Sequence, residues 1–133
     1  MNILFFLTPK QDVRTFKKEY TVRQAIEKLR EAKYTAIPVL DEEGRYVGTL
    51  TEGDLLWAVI NQETPKDWEK ISILDVMRGE RCVPVRVNAN IADLLELALT
   101  QNFVPVVDDR DAFIGIVERT RAQKKEQTAW LTN

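Results

Sequence analysis

The sequence predicts a mixed α+β / α/β fold of two β-α-β-β-α repeats, related by a pseudo-twofold axis and packed sheet to sheet. Three observations carry this. The stretch YTAIPVLDEEGRYVG, Tyr34–Gly48, returns as NFVPVVDDRDAFIG, Asn102–Gly115, with proline and glycine ten residues apart in both copies (Pro38 and Gly48, Pro105 and Gly115). Each copy follows an apolar stripe at helical spacing that opens on a capping residue. A three-stranded sheet with helices on one face leaves its other face bare, and a second such unit would cover it.

Val13–Phe16 (VRTF) reads as a short first strand. Tyr20–Ala32 carries Val22, Ala25, Ile26 and Leu29, the i, i+3, i+4, i+7 pattern of an amphipathic helix. Thr21 is placed to cap it, with Gln24 three residues on. Ala36–Leu40 (AIPVL) is a buried-strand run, Asp41–Gly44 a turn, and Arg45–Leu50 the returning strand of a hairpin. Thr51 opens a second helix through Leu55, Leu56, Val59 and Ile60. The second half repeats the order. Val83–Val87 is its first strand, and Asn90 caps a helix with the stripe Ile91, Leu94, Leu95 and Ala98. Phe103–Val107 and Phe113–Val117 are strands around the turn Asp108–Ala112, and a last helix starts near Thr120. The polar segment 62–72, which contains Pro65, reads as a connection. Ile73–Met77 (ILDVM) reads as a short helical lead-in. The domain reading is repeat 1 at 5–61, the connection at 62–72 and repeat 2 at 73–130, together one compact module.

Composition removes several function classes. There is no His, so no imidazole acid or base and no His-ligated metal. The single Cys82 sits in the apolar run RCVPVRV and reads as a structural cysteine, with no disulfide partner and no His to activate it. No Walker loop, GxGxxG or GxSxG occurs. The expectation is a chain that is not an enzyme and holds no metal or cofactor. A net charge of −2 gives no reason to expect nucleic-acid binding. No apolar run approaches the ~20 residues that span a bilayer. The run Ile3–Leu7 lacks a basic flank and is short for a leader. A cytoplasmic location, with no membrane partner, follows by elimination.

The stretches YTAIPVLDEEGRYVGTLTEGDLL and NFVPVVDDRDAFIGIVERTRA, with the lead-in ILDVM, resemble a tandem pair of CBS domains, a Bateman module. The resemblance covers roughly residues 5–130. The chain is also similar to small stand-alone bacterial CBS proteins, some of which bind cyclic di-AMP. The resemblance implies clefts between paired repeats that take an adenine nucleotide: AMP, ADP, ATP, S-adenosylmethionine, NADH or cyclic di-AMP. It also implies a Thr/Ser-x-x-Asp motif at the start of the second helix whose acid holds the ribose. Here that motif is TEGD, Thr51–Asp54.

The chemistry suits the role. A carboxylate offers two acceptors to the two adjacent hydroxyls of a ribose, and charge-assisted hydrogen bonds contribute roughly 1.5–3 kcal/mol each. Thr51 and Asp54 also have the spacing of a capping box, and the two roles are compatible. In the second repeat Glu118 and Arg121 fall where Thr51 and Asp54 stand, so a second equivalent site is doubtful. Arg119 and Arg121, with Lys124 and Lys125, form a basic cluster that would meet nucleotide phosphates or, alternatively, serve as a solvated helix face. The resemblance places the adenine among Val13, Arg14, Thr15, Tyr34, Thr35, Ala36, Ile37 and Pro38. Tyr34 is a candidate for stacking, and Thr35 with the Ala36 backbone for reading the base edge. Arg14 is an alternative phosphate contact, and Ile37 and Pro38 have core packing as the preferred reading. Trp57 is expected at a domain or subunit interface.

The leading expectation is a non-catalytic regulatory module that binds an adenine nucleotide and signals to a separate, unidentified regulated protein, with a homodimer implied by the resemblance. The alternative is a ligand-free dimerising scaffold with a vestigial site.

Overall fold

The computed structural model of the chain describes residues 2–31, 35–61, 68–78 and 82–122. Strands β1 (Thr8–Pro9) and β2 (Phe16–Lys17) precede helix α1 (Val22–Leu29), strands β3 (Ala36–Leu40) and β4 (Tyr46–Thr51), and helix α2 (Glu52–Asn61). A 3-10 turn at Ile73–Asp75 leads to β5 (Val85–Arg86), α3 (Ile91–Ala98), β6 (Phe103–Val107) and β7 (Phe113–Glu118), and a last helix, α4, opens at 119–122. The order β-α-β-β-α occurs twice. One sheet runs β2-β3-β4, the other β1-β7-β6-β5. In both, the first strand lies parallel to the second and the hairpin is antiparallel.

The helices start where the caps stand. Thr21 Oγ1 accepts from Gln24 N–H at 3.2 Å and Gln24 Oε1 accepts from Thr21 N–H at 2.9 Å, a closed capping box. Asn90 Oδ1 accepts from Asp93 N–H at 2.9 Å at the start of α3. The first helix is shorter than the Tyr20–Ala32 stripe, because Glu31 N–H closes a tighter turn on Lys28 C=O.

The repeated acid after each strand builds the hairpin turn. Asp41 Oδ1 accepts from the N–H groups of Glu43 and Arg45, both at 2.9 Å, and Asp108 Oδ1 accepts from Arg110 at 2.8 Å and Ala112 at 2.9 Å. Bonding to the Arg45 backbone N–H, reinforced by Glu43 N–H and the Arg45 guanidinium, holds the Asp41 carboxyl below its ordinary value. A depressed folded-state value means the contribution is complete above the unfolded value and is lost as pH falls through the folded one. Thermal melts from about pH 6 to about pH 2.5 are therefore expected to lose less stability for Asp41→Asn than for wild type. An equal acid dependence would show that this turn is not among the titrating elements.

Both first strands begin later than the spans Val13–Phe16 and Val83–Val87 suggest, and the repeated proline is the reason. With Phe16 opposite Val39 and Lys18 N–H donating to Leu40 C=O, the preceding rung would need a donor at residue 38 for the carbonyl of Arg14. Pro38 has no N–H. Val85 opposite Val106 leaves the carbonyl of Val83 facing Pro105 in the same way.

The chain gathers into two compact units. Residues 14–78 form one unit, and residues 2–13 join 82–122 in the other. The lead-ins are thus exchanged. In the first unit Ile73, fully buried, packs with Phe16, Val22, Ala25, Ile37, Val39, Leu50, Leu55 and Ala58. Val22 N–H donates to Ile71 C=O and Ile73 N–H to Tyr20 C=O, which anchors the lead-in beside α1. In the second unit Ile3 and Phe6 pack with Val85, Leu94, Val104, Val106 and Val117, and β1 pairs antiparallel with β7. The first lead-in is the apolar run Ile3–Leu7, opened by Asn2 as Ser72 opens its counterpart.

Candidate functional site

Thr51 and Asp54 meet at the start of α2. Asp54 N–H donates to Thr51 Oγ1 at 3.0 Å, and Asp54 Oδ2 accepts from Thr51 N–H at 3.0 Å. The capping box is real and takes one carboxylate oxygen. The other oxygen, Oδ1, has no hydrogen-bond partner among the described residues. The residue as a whole is 6% exposed, and its free oxygen is one that water or a ligand can reach.

Asp54 lines a groove of about 300 Å³ within its own unit, shared with Trp57, Asn61, Asp75, Met77 and Arg78. The Arg78 guanidinium lies 5.1 Å from the centroid of the Trp57 ring, a cation–π contact on a half-exposed indole. The lining of the groove thus carries two carboxylates, Asp54 and Asp75, and the Arg78 guanidinium. Sequence reasoning missed Arg78. It arrives on the lead-in of the other repeat and belongs to no motif. Trp57 carries this cation, a contact its position in the helix did not announce.

The base-reading candidates divide. Ile37 and Pro38 are buried, Ile37 within the core. Val13, Thr15 and Ala36 are half-buried, and Arg14 and Thr35 are exposed. Thr35 C=O accepts from Glu52 N–H, so the Ala36–Thr51 pair is a non-hydrogen-bonded one and the Ala36 backbone faces away from β4. Arg14 N–H and C=O have no partner among the described residues. Tyr34 lies outside the described residues, as do Lys124 and Lys125.

Arg119 and Arg121 belong to the other unit. Arg119 Nε donates to Ala98 C=O and Gln101 C=O, both at 3.0 Å, and closes the C-terminus of α3. That is a structural role which leaves only the outer guanidinium nitrogens for an anion. Arg121 is exposed and its Nη1 reaches Thr8 Oγ1 at 3.4 Å. Among the described residues no three His, Cys, Asp or Glu side chains are grouped to hold a metal ion, and no helix is long and apolar enough to cross a membrane.

The CBS domain family model matches the chain twice, at residues 6–61 and 73–124. A CBS domain-containing protein of Arabidopsis thaliana chloroplasts, CBSX2, is 30% identical over 86% of this chain, and its relative CBSX1 is 26% identical over 86%. The chain spans 58% and 59% of these two relatives. The solved structure of CBSX2 in complex with AMP superposes with a TM-score of 0.77 at 30% identity, covering 96% of this chain and 97% of that one. CbpB of Listeria monocytogenes in complex with cyclic di-AMP superposes with a TM-score of 0.84 at 23% identity, covering 98% of each chain, a likeness of fold.

Proposed function

The chain belongs to the CBS domain family, carrying two copies of the domain, and from that premise we propose that it is a non-catalytic regulatory module. It binds an adenine nucleotide in the Asp54 groove and relays binding to a separate protein. The observation that carries this is the Asp54 carboxylate, fixed by its cap through one oxygen with the second unclaimed. A ribose diol supplies two donors to such a group. The AMP complex of CBSX2, a relative of the same family, supports an adenosine ligand. Thr51 holds the acid in place, and Val13, Arg14, Thr15, Tyr34, Thr35 and Ala36 are the base contacts proposed. Arg78, on the lining of the same groove, is the phosphate contact proposed.

Calorimetric titration with AMP, ADP, ATP and cyclic di-AMP tests the reading. Saturable binding of one of them at micromolar to sub-millimolar Kd is expected. Binding of none up to about millimolar ligand would leave the ligand-free scaffold as the better description.

A homodimer through α2 is part of the proposal. Leu56 and Ile60, one helical turn apart, are 59% and 61% exposed, and Leu56 lines a hollow with Ile26, Leu29, Leu55 and Val59 that Arg30 and Glu52 also line. Light scattering is expected to give twice the 15.4 kDa chain mass, and Leu56→Glu with Ile60→Glu to halve it. A monomeric wild type, or a dimer unmoved by both charges, would remove α2 from the interface.

A further inference from the structure

The second repeat contains a side chain that the first repeat lacks. Gln101 stands where Tyr34 stands in repeat 1, four residues before the repeated proline. It is 6% exposed, and its carboxamide is fully engaged. Gln101 Oε1 accepts from Val83 N–H at 2.8 Å, and Nε2 donates to Val83 C=O at 3.1 Å and to Phe103 C=O at 3.3 Å. Nε2 also lies 4.0 Å from Cys82 Sγ.

The ladder explains why these groups are open to a side chain. Pro105 offers no donor to the Val83 carbonyl, so the rung between β5 and β6 fails at Val83. The Gln101 amide is inserted there, an acceptor beside a donor against the N–H and C=O of one residue. The edge of an adenine has the same pattern, with acceptor N1 flanked by the N6 amino donor. In repeat 1 the equivalent residue is Arg14, which precedes Phe16 as Val83 precedes Val85. The Arg14 N–H and C=O are unclaimed among the described residues, and Tyr34, a phenol, has no amide with which to claim them.

We infer that Gln101 is a resident occupant of the base-reading position of repeat 2, its carboxamide standing in for an adenine edge, while no described residue fills the matching position at Arg14. This rests on the nucleotide-binding reading above for what the position at Arg14 takes. The chain then binds one adenine base, in repeat 1. Repeat 2 is closed twice over, by Gln101 at the base and by Arg121 at the position of the ribose acid. Val83 is 50% exposed, so removing the amide opens the position to solvent.

The test is the stoichiometry of AMP binding to the full chain, with amide hydrogen exchange on wild type beside it. Wild type is expected to bind one AMP per chain, and Gln101→Ala with Arg121→Asp to bind two. Without AMP the Val83 amide is expected to exchange at least tenfold more slowly than that of Arg14. Saturating AMP should slow Arg14 and leave Val83 unchanged. Two AMP per wild-type chain, a folded double variant that still binds one, or a Val83 amide that gains protection from AMP would each overturn the inference. The exchange experiment decides by itself if the double variant does not fold. Its Val83 rate without ligand also separates the two readings. A protected Val83 in a protein that binds no AMP leaves the occupant in place and ends the nucleotide reading. A fast Val83 in a protein that binds one AMP does the reverse.

Discussion

Gly115→Ala is expected to cost several kcal/mol of stability, the largest loss of an added methyl group among the described glycines. A Cβ at this position would lie 2.2 Å from the Thr8 carbonyl oxygen, 2.8 Å from Leu7 Cδ1 and 3.1 Å from Pro9 Cα. The backbone at φ +154° adds strain for an L side chain. The nearest obstacle is backbone, so no rotamer change relieves it. Strand β1 must leave β7, and its pairing at Thr8–Ile116 and Pro9–Gly115 goes with it. Ile3 and Phe6, whose burial contributes about 1.5–3 kcal/mol each, are pulled from the core of that unit. Against a typical total of about 5–15 kcal/mol, urea unfolding should show a much lower midpoint or an early separate transition. Gly48→Ala is the internal comparison. There the Cβ meets Met77 Cε at 2.8 Å, the far end of a flexible side chain that can swing aside, so the loss should stay near 1 kcal/mol. If Gly115→Ala were as mild as Gly48→Ala, the N-terminal crossing would not be a structural part of the unit.

That contrast also shows which features were legible in the sequence. Proline and glycine at fixed spacing, the turn acids Asp41 and Asp108, and the caps Thr21 and Asn90 act within a few residues of themselves, so their geometry follows from local chemistry. The duplication gave the β-α-β-β-α order for the same reason. The lead-in exchange is a long-range choice. Ile3–Leu7 is an apolar run of a length that fits several fates, and only packing against Val85, Leu94 and Val104 assigns it. A run such as VRTF has strand propensity over its whole length, while the missing N–H that ends the ladder belongs to another strand. The site divides along the same line. Thr51 and Asp54 are three residues apart and could be recognised. Arg78 and Gln101 matter through partners remote in sequence, Trp57 and Val83, and no spacing rule announces them.

Asp54→Asn is expected to leave the fold in place and weaken nucleotide binding by about 10- to 100-fold. The two roles of the residue make this the informative substitution. As a cap, Asp54 needs one acceptor for Thr51 N–H, and an asparagine oxygen supplies it. The loss of negative charge at the start of α2 costs about 0.3–1 kcal/mol. Stability should therefore fall by no more than about 1 kcal/mol. As a ribose ligand, the residue loses its charge and exchanges an acceptor oxygen for an amide donor. With its one oxygen kept on Thr51 N–H, the asparagine turns an amide donor toward the diol where a charged acceptor stood, and one charge-assisted bond lost is worth about 1.5–3 kcal/mol. Thr51→Ala is the converse. It removes the hydroxyl that accepts from Asp54 N–H, costs about 1 kcal/mol of stability, and keeps the carboxylate. Calorimetry on both variants with the ligand that wild type binds, beside their thermal melts, separates capping from binding. Undiminished affinity in Asp54→Asn would mean that the carboxylate is a helix cap and that the ribose is held elsewhere.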